Sequence, residues 1–276
     1  QNQALGVEVP AKAAVVIDAD TGKVLFEQNA HEELPPASTT KILTATLVLE
    51  HLDLDEVLTV PEGFVNDGEA GIWLEPGEKQ TVEALLMAMM LRSANDAAQM
   101  LAIGVAGSEE AFADLMNERV AELGLENTHF VNPNGLHDDN HYTSAYDLAM
   151  LTREALKNET FNEIITTNRY QLPWVEGEYD RVVYNRNTLL DIYPAADGVK
   201  NGFTTEAGNC LVSSATVNGR RLIGVVLNCS DMYNTSQAML EEAFDEYETV
   251  QICAAGEVKG EVRAIFSIIF PRKMKS

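Results

Sequence analysis

The period of apolar and polar positions changes three times along the chain. Residues 13–30, AAVVIDADTGKVLFEQNA, form two β-rich runs on either side of Asp20-Thr21-Gly22, the pattern of a hairpin. Pro35 and Pro36 end the extended segment. Ile42, Leu43, Ala45, Leu47, Val48, Leu49 and Leu52 then recur at helical spacing. Apolar residues on so many sides of one helix predict burial on several faces. From Thr81 to about Ile165 the pattern stays helical. Thr81, Asn95 or Asp96, and Ser108 stand as helix starts, and Ser144 with Asp147 is spaced as a capping box. Beyond Asn168, β-branched and aromatic residues alternate with turn residues up to the hairpin NCLVSSATVNGRRLIGVVLNCS, and the amphipathic stretch SQAMLEEAFDEY follows.

Strands at both ends with helices between them predict an α/β protein of the α+β type. A single antiparallel sheet is joined from both termini and flanked by helices, with an all-helical subdomain (about residues 66–165) inserted in it. Residues 1–250 read as one domain and 251–276 as a separate tail. The 276 residues, 46% of them hydrophobic, suffice for a large core. A formal charge of −24, from 19 basic and 43 acidic side chains, repels phosphate backbones and excludes nucleic acid as a partner. It gives no pull toward anionic lipid except at the basic end Arg272-Lys273-Met274-Lys275.

The chain begins at Gln1 without an initiator methionine or signal-like segment and reads as mature or trimmed. No apolar run reaches the roughly 20 residues of a membrane-spanning helix. AIFSIIF (residues 264–270) reads as a strand or a truncated attachment segment. The three cysteines, Cys210, Cys229 and Cys253, lack metal spacing. A two-residue turn at Asn218-Gly219 sets Cys210 opposite Leu227 and one same-face step from Cys229. Buried free thiols fit better than a diagonal disulfide.

Three short motifs carry candidate chemistry. Ser38 and Lys41, three apart, share a helix face, so the amine can reach the hydroxyl. Free N–H groups in a first helical turn favour an oxyanion, and desolvation near positive potential lowers a lysine's pKa toward that of a useful base. On this spacing alone, Ser38 is equally a helix cap and Lys41 a solvated residue. Ser93-Ala94-Asn95 falls at a break between helices. Lys200-Asn201-Gly202 opens the strand-rich end, where a lysine can pair with a carboxylate while glycine lets the backbone approach closely. Read as a turn, Lys200-Asn201-Gly202 lacks alternating apolar flanks on both sides.

These triplets, in this order, resemble the penicillin-recognising serine enzymes, whose fold is β-lactamase/transpeptidase-like, and most closely the low-molecular-mass D-alanyl-D-alanine carboxypeptidases. The likeness extends over VVIDADTGKVLFEQNAHEELPPASTTKILTA, LEPGEKQTVEALLMAMMLRSANDAAQMLA, NPNGLHDDNHYTSAYDLAMLT and EAGNCLVSSATVNGRRLIGVVL, roughly Ala13 to Gln251. It implies Ser38 as acyl-accepting nucleophile, Lys41 as its base and Ser93 as a proton relay to the leaving nitrogen. Asn95 would hold the substrate's peptide group, Lys200, Asn201 and Gly202 its terminal carboxylate, and the N–H groups of Ser38 and Phe203 the oxyanion. Asn201 departs from the family's usual threonine.

The activity implied is removal of the terminal D-alanine from peptidoglycan stem peptides, without cofactor or metal, with β-lactams as covalent inhibitors. The alternatives are a β-lactamase, a DD-endopeptidase or transpeptidase, or a peptidoglycan-binding regulator weakened by Asn201. The resemblance further implies export to the extracytoplasmic face of a bacterial envelope, secreted or peripherally attached through a C-terminal segment. Residues 251–276 would be the remnant of a β-rich second domain. Glu154 and Asn158 copy the water-activating spacing of class A β-lactamases but read as a solvated helix face. His137-Asp138-Asp139-Asn140-His141 reads as polar turn chemistry rather than a metal site. The five histidines suggest no Ser-His-Asp set, and Met87, Met89 and Met90 read as core packing.

Overall fold

The computed structural model describes residues 5–66, 70–173 and 181–251, with short strands at 258–259, 262–263 and 267–271. In chain order the elements are β1 (Ala11–Asp18), β2 (Val24–Gln28), α1 (Lys41–His51), β3 (Val57–Thr59), β4 (Lys79–Thr81), α2 (Val82–Met87), α3 (Asn95–Ala106), α4 (Glu109–Glu122), α5 (Ala145–Ala155) and α6 (Glu159–Thr166). They continue as β5 (Arg169–Leu172), β6 (Arg181–Tyr184), α7 (Leu189–Ile192), β7 (Ala196–Thr204), β8 (Gly208–Val217), β9 (Arg220–Cys229), α8 (Met232–Glu246), β10 (Tyr247–Gln251), β11 (Val258–Lys259), β12 (Val262–Arg263) and β13 (Ser267–Pro271).

One five-stranded antiparallel sheet, in the order β2-β1-β9-β8-β7, is assembled from both ends of the sequence as its pattern predicts. Alternation along β1 explains how the sheet is covered. Ala13, Val15 and Ile17 face the core shared with the helices of the middle of the chain, whereas Ala14 and Val16 face the core under α8. Each fully buried Val, Leu or Ile contributes about 1.5–3 kcal/mol, so burial on both faces fixes the register firmly. The hairpin register follows from its turn. Asn218 (φ 52°) and Gly219 (φ 77°) are both left-handed, and Val217 pairs with Arg220 and Leu211 with Val226. Cys210 and Cys229 are buried free thiols, and Cys253 lies outside the described residues.

Helix α1 is buried continuously from Lys41 to Val48, which carries the lysine into the interior with its apolar neighbours. Thr81, Ser108 and Ser144 cap their helices, accepting from the N–H groups of Ala84, Ala111 and Asp147. Two local expectations are corrected, at Ser144 and at Glu154 with Asn158. The capping box at Ser144 is only half made, because the Asp147 carboxylate accepts instead from Asn127 N (2.9 Å) and Thr128 Oγ1 (2.8 Å). Asn95 opens α3 as expected, preceded by Ala94 without a side-chain cap, and the Asp96 carboxylate binds the N–H groups of Ile72 and Leu74. Glu154 and Asn158 do not share one helix, since α5 ends at Ala155 and Asn158 caps α6 through Phe161 N.

Among the described residues no helix is long and apolar enough to cross a membrane. Within the stretch 264–270, Ser267 onward is strand, paired with β10, while residues 264–266 and the basic end at 272–275 lie outside the described residues.

Candidate active site

The chain enters the site through Pro35-Pro36. Ala37 adopts a left-handed φ of 50°, and Ala37–Thr40 make one turn of 3-10 helix before α1 begins. This geometry bears on the cap reading of Ser38. Neither helical start uses it as a cap, and its hydroxyl accepts a hydrogen bond from Lys41 Nζ at 3.0 Å. Two glycines let other backbones crowd the turn. A Cβ on Gly135 (φ 90°) would lie 1.9 Å from the Ala37 carbonyl oxygen, and one on Gly202 would lie 2.7 Å from Ser38 N. Gly202 sits in β7, the edge strand of the sheet, so the strand's backbone passes directly beside the Ser38 amide. Lys200-Asn201-Gly202 is therefore strand and not turn: Lys200 pairs with Val212 and Gly202 with Cys210.

Lys41 is the hub. Besides Ser38 it donates to Asn95 Oδ1 at 2.8 Å and to the Asn134 carbonyl at 2.6 Å, and its side chain is fully buried. Desolvation holds its pKa well below that of an ordinary lysine. Repulsion from Lys200 adds to this effect, and Asp96 opposes it. Lys200 is buried too, and its pKa is lowered to about 7 by desolvation and then by Arg186. Its ammonium donates to the Asn201 carbonyl (2.8 Å) and to Asn201 Oδ1 (3.3 Å).

On the other wall, α2 runs into a π-helical turn, Ala88–Arg92, that ends at Ser93 in a left-handed conformation (φ 66°). The Ser93 hydroxyl is buried and has no hydrogen-bond partner among the described residues. An orphaned hydroxyl in a site wall is poised for a ligand or a moving proton. Phe203, next to Gly202, is exposed. The fold thus brings Ser38, Lys41 and Asn95 into direct contact and sets Gly202 against them. Lys200 lies close enough to act on Lys41 electrostatically, and Ser93 stands two positions before Asn95.

Four contributors escape sequence reasoning. The Asn134 carbonyl is backbone and has no residue signature. Arg186 is exposed, yet its charge reaches both Lys200 and Arg92. Trp73, on the loop before β4, has its ring 4.9 Å from the Arg92 guanidinium. His141 faces the nucleophile's turn, and among the described residues no group of three or more His, Cys, Asp or Glu side chains gathers to hold a metal. Its Nδ1 accepts from Val131 N (3.0 Å), so Nε2 carries the proton and donates to Thr40 Oγ1 (2.9 Å). Burial lowers its pKa to about 3, keeping a second cation away from Lys41.

Comparison with known proteins gives a consistent picture. The sequence profile of the D-alanyl-D-alanine carboxypeptidase family (peptidase S11) matches residues 1–231. The D-alanyl-D-alanine carboxypeptidase DacF of Bacillus subtilis (strain 168) is 39% identical over 263 residues, 92% of this chain and 67% of the relative. DacC of Escherichia coli (strain K12) is 35% identical over 268 residues, covering 88% of this chain and 63% of that protein. The chain spans about two thirds of the length of these curated relatives. Among solved structures, the Streptomyces K15 DD-transpeptidase aligns with a TM-score of 0.80 at 30% identity, over 87% of this chain and 99% of that one. DacD from Francisella tularensis aligns with a TM-score of 0.87 at 27% identity, over 99% of this chain and 84% of that one.

Proposed function

Because the chain belongs to the D-alanyl-D-alanine carboxypeptidase family, we propose that it removes the terminal D-alanine from peptidoglycan stem peptides through an acyl-enzyme on Ser38. One observation carries this reading: the donor count at Lys41. A neutral amine has two N–H bonds and one lone pair. The charged amine donates all three of its N–H bonds, to Asn95 Oδ1, the Asn134 carbonyl and the Ser38 hydroxyl, so loss of the proton that faces Ser38 leaves the lone pair on that side. Neutral Lys41 is thus oriented to take the Ser38 proton as the oxygen attacks the carbonyl carbon between the two D-alanines.

The developing oxyanion is placed at the N–H groups of Ser38 and Phe203, two donors where the edge strand meets the 3-10 turn. Collapse of the intermediate breaks the C–N bond. The leaving nitrogen takes a proton relayed from Lys41 through Ser93, and water then hydrolyses the ester. Asn95 holds the acyl-side peptide group, while Lys200 with Asn201 receives the terminal carboxylate. Since Asn201 Oδ1 faces the Lys200 ammonium, its NH2 end is the part offered to the carboxylate, in place of the family's threonine hydroxyl. β-Lactams mimic this substrate and keep their leaving group tethered, so they acylate Ser38 and linger. The substrate's location implies an exported protein on the outer side of the bacterial cytoplasmic membrane, acting in cell-wall biogenesis. We retain residues 1–250 as the catalytic unit, with a helical insertion at about 66–165 and a tail after it.

Likeness to a solved DD-transpeptidase favours a second outcome of the same acyl-enzyme, in which an amine replaces water as acceptor. Intact-mass measurement after penicillin treatment tests the assignment. One adduct per chain is expected, and none on Ser38→Ala; an adduct that survives this substitution refutes it. Product analysis with a D-Ala-D-Ala peptide separates hydrolysis from transfer. Acylation without turnover, relieved by Asn201→Thr, would identify a weakened regulator.

A further inference from the structure

Trp73 is 63% exposed although Ile72 and Leu74 on either side are buried. It adopts a left-handed φ of 56°, unfavourable for a bulky side chain. Polar contacts hold it there. Ile72 N and Leu74 N both donate to the Asp96 carboxylate at 3.1 Å, and Arg181 Nη2 donates to the Trp73 carbonyl at 3.2 Å. Arg92 Nε donates to the Gly71 carbonyl at 2.9 Å while its guanidinium stacks 4.9 Å from the indole centroid. An indole free to settle would turn inward and bury its rings. This one is fixed outward with a cation behind one face, which leaves the other face to a ligand.

Its position selects the ligand. Asp96 follows Asn95 and Arg92 precedes Ser93, so the platform is built onto the wall that receives the acyl side of the substrate. The terminal carboxylate is assigned above to Lys200. We propose that Trp73 is a specificity-determining residue: it receives the side chain of the residue that precedes the penultimate D-alanine. That side chain is a long aliphatic one lying across the indole, tipped by an anion that Arg92 attracts. A cationic tip is disfavoured by the Arg92 guanidinium that already stacks on the indole. This inference rests on the D-Ala-D-Ala reading of the site and adds its acyl-side preference.

The test uses N-acetyl-X-D-Ala-D-Ala peptides with X glycine, norleucine or 2-aminoadipate, and the full chain carrying Ser38→Ala to prevent turnover. Trp73 and Trp174 are the two tryptophans, so adding Trp174→Phe leaves Trp73 as sole reporter. Saturable change of Trp73 emission is expected with the norleucyl and aminoadipyl peptides and not with the glycyl peptide. By calorimetry, Trp73→Ala should weaken the norleucyl peptide about 10-fold and leave the glycyl peptide unchanged. Trp73→Phe should fall between, and aminoadipate should bind more tightly than norleucine. Equal binding of all three peptides, or equal weakening of glycyl and norleucyl peptides by Trp73→Ala, overturns this proposal alone. Failure of every peptide to bind overturns it together with the D-Ala-D-Ala reading.

Discussion

In the proposed mechanism, two buried lysines would divide the chemistry between opposite charge states. Lys41 works only when neutral, and its lowered pKa keeps it so far below the ordinary amine range. Lys200 binds a carboxylate only when charged, and in the free protein it is half-charged near pH 7. Activity should therefore rise with pH as Lys41 loses its proton and fall as Lys200 loses its own, giving a bell in kcat/KM. Lys200→Arg should remove the alkaline limb, because a guanidinium does not titrate in this range. Lys41→Arg should lower the rate of penicillin acylation by about 10³-fold or more, since it leaves no base. A profile flat from pH 6 to pH 9 would refute this division.

Lys200 also affects stability. Between pH about 7 and the ordinary value of 10.5 the unfolded chain holds a proton that the folded chain lacks, so this group makes stability rise with pH. At this scale the sequence was legible where chemistry needs a particular side chain, as at Ser38 and Lys41. It was silent on Asn134, because a carbonyl belongs to every residue type. It misled at Asp147, because the same spacing serves a cap or a tie to another loop.

At the scale of elements, the site is a junction of one 3-10 turn, one helix break and one edge strand. The strand approaches closely because Gly202 lacks a side chain. Gly202→Ala would press a methyl group to within 2.7 Å of Ser38 N and 3.1 Å of Ala37 Cβ. Acylation by penicillin should fall about 10²-fold through displacement of the nucleophile, with the far-ultraviolet circular dichroism unchanged. Stopped-flow acylation kinetics measure this, and a rate within twofold of the parent would refute it. The strands and hairpin registers were legible because alternation and Asn-Gly turn chemistry are local. The break at Asn158 was not, since a cap and a helix-face asparagine look alike until the chain direction is known. Trp73 was illegible for a related reason: its exposure is imposed by Asp96, Arg92 and Arg181, which are distant in sequence.

At the scale of the molecule, a charge of −24 surrounds a proposed cleft whose cations are Lys200, Arg92 and Arg186. An anionic peptide is repelled at long range and attracted at short range. Raising salt from about 10 mM to about 150 mM shortens the screening length from about 30 Å to about 8 Å, which removes the repulsion first. Values of kcat/KM for an anionic peptide should rise by a factor of about 2 to 5 over that range. A monotonic fall would mean that the cleft dominates at all distances.

The sheet has one more consequence, and it concerns time. Its second strand, β1, is hydrogen-bonded on one side to β9, with Val15 opposite Val225, so β1 must wait for a strand from the far side of the helical middle of the chain. Contacts so distant in sequence form slowly, and until β9 emerges β1 has only its hairpin partner, β2. A nascent chain with this topology leaves its sheet open on that side until β9 has been made. That delay would serve the export proposed above, in which a chain crosses a membrane before it folds.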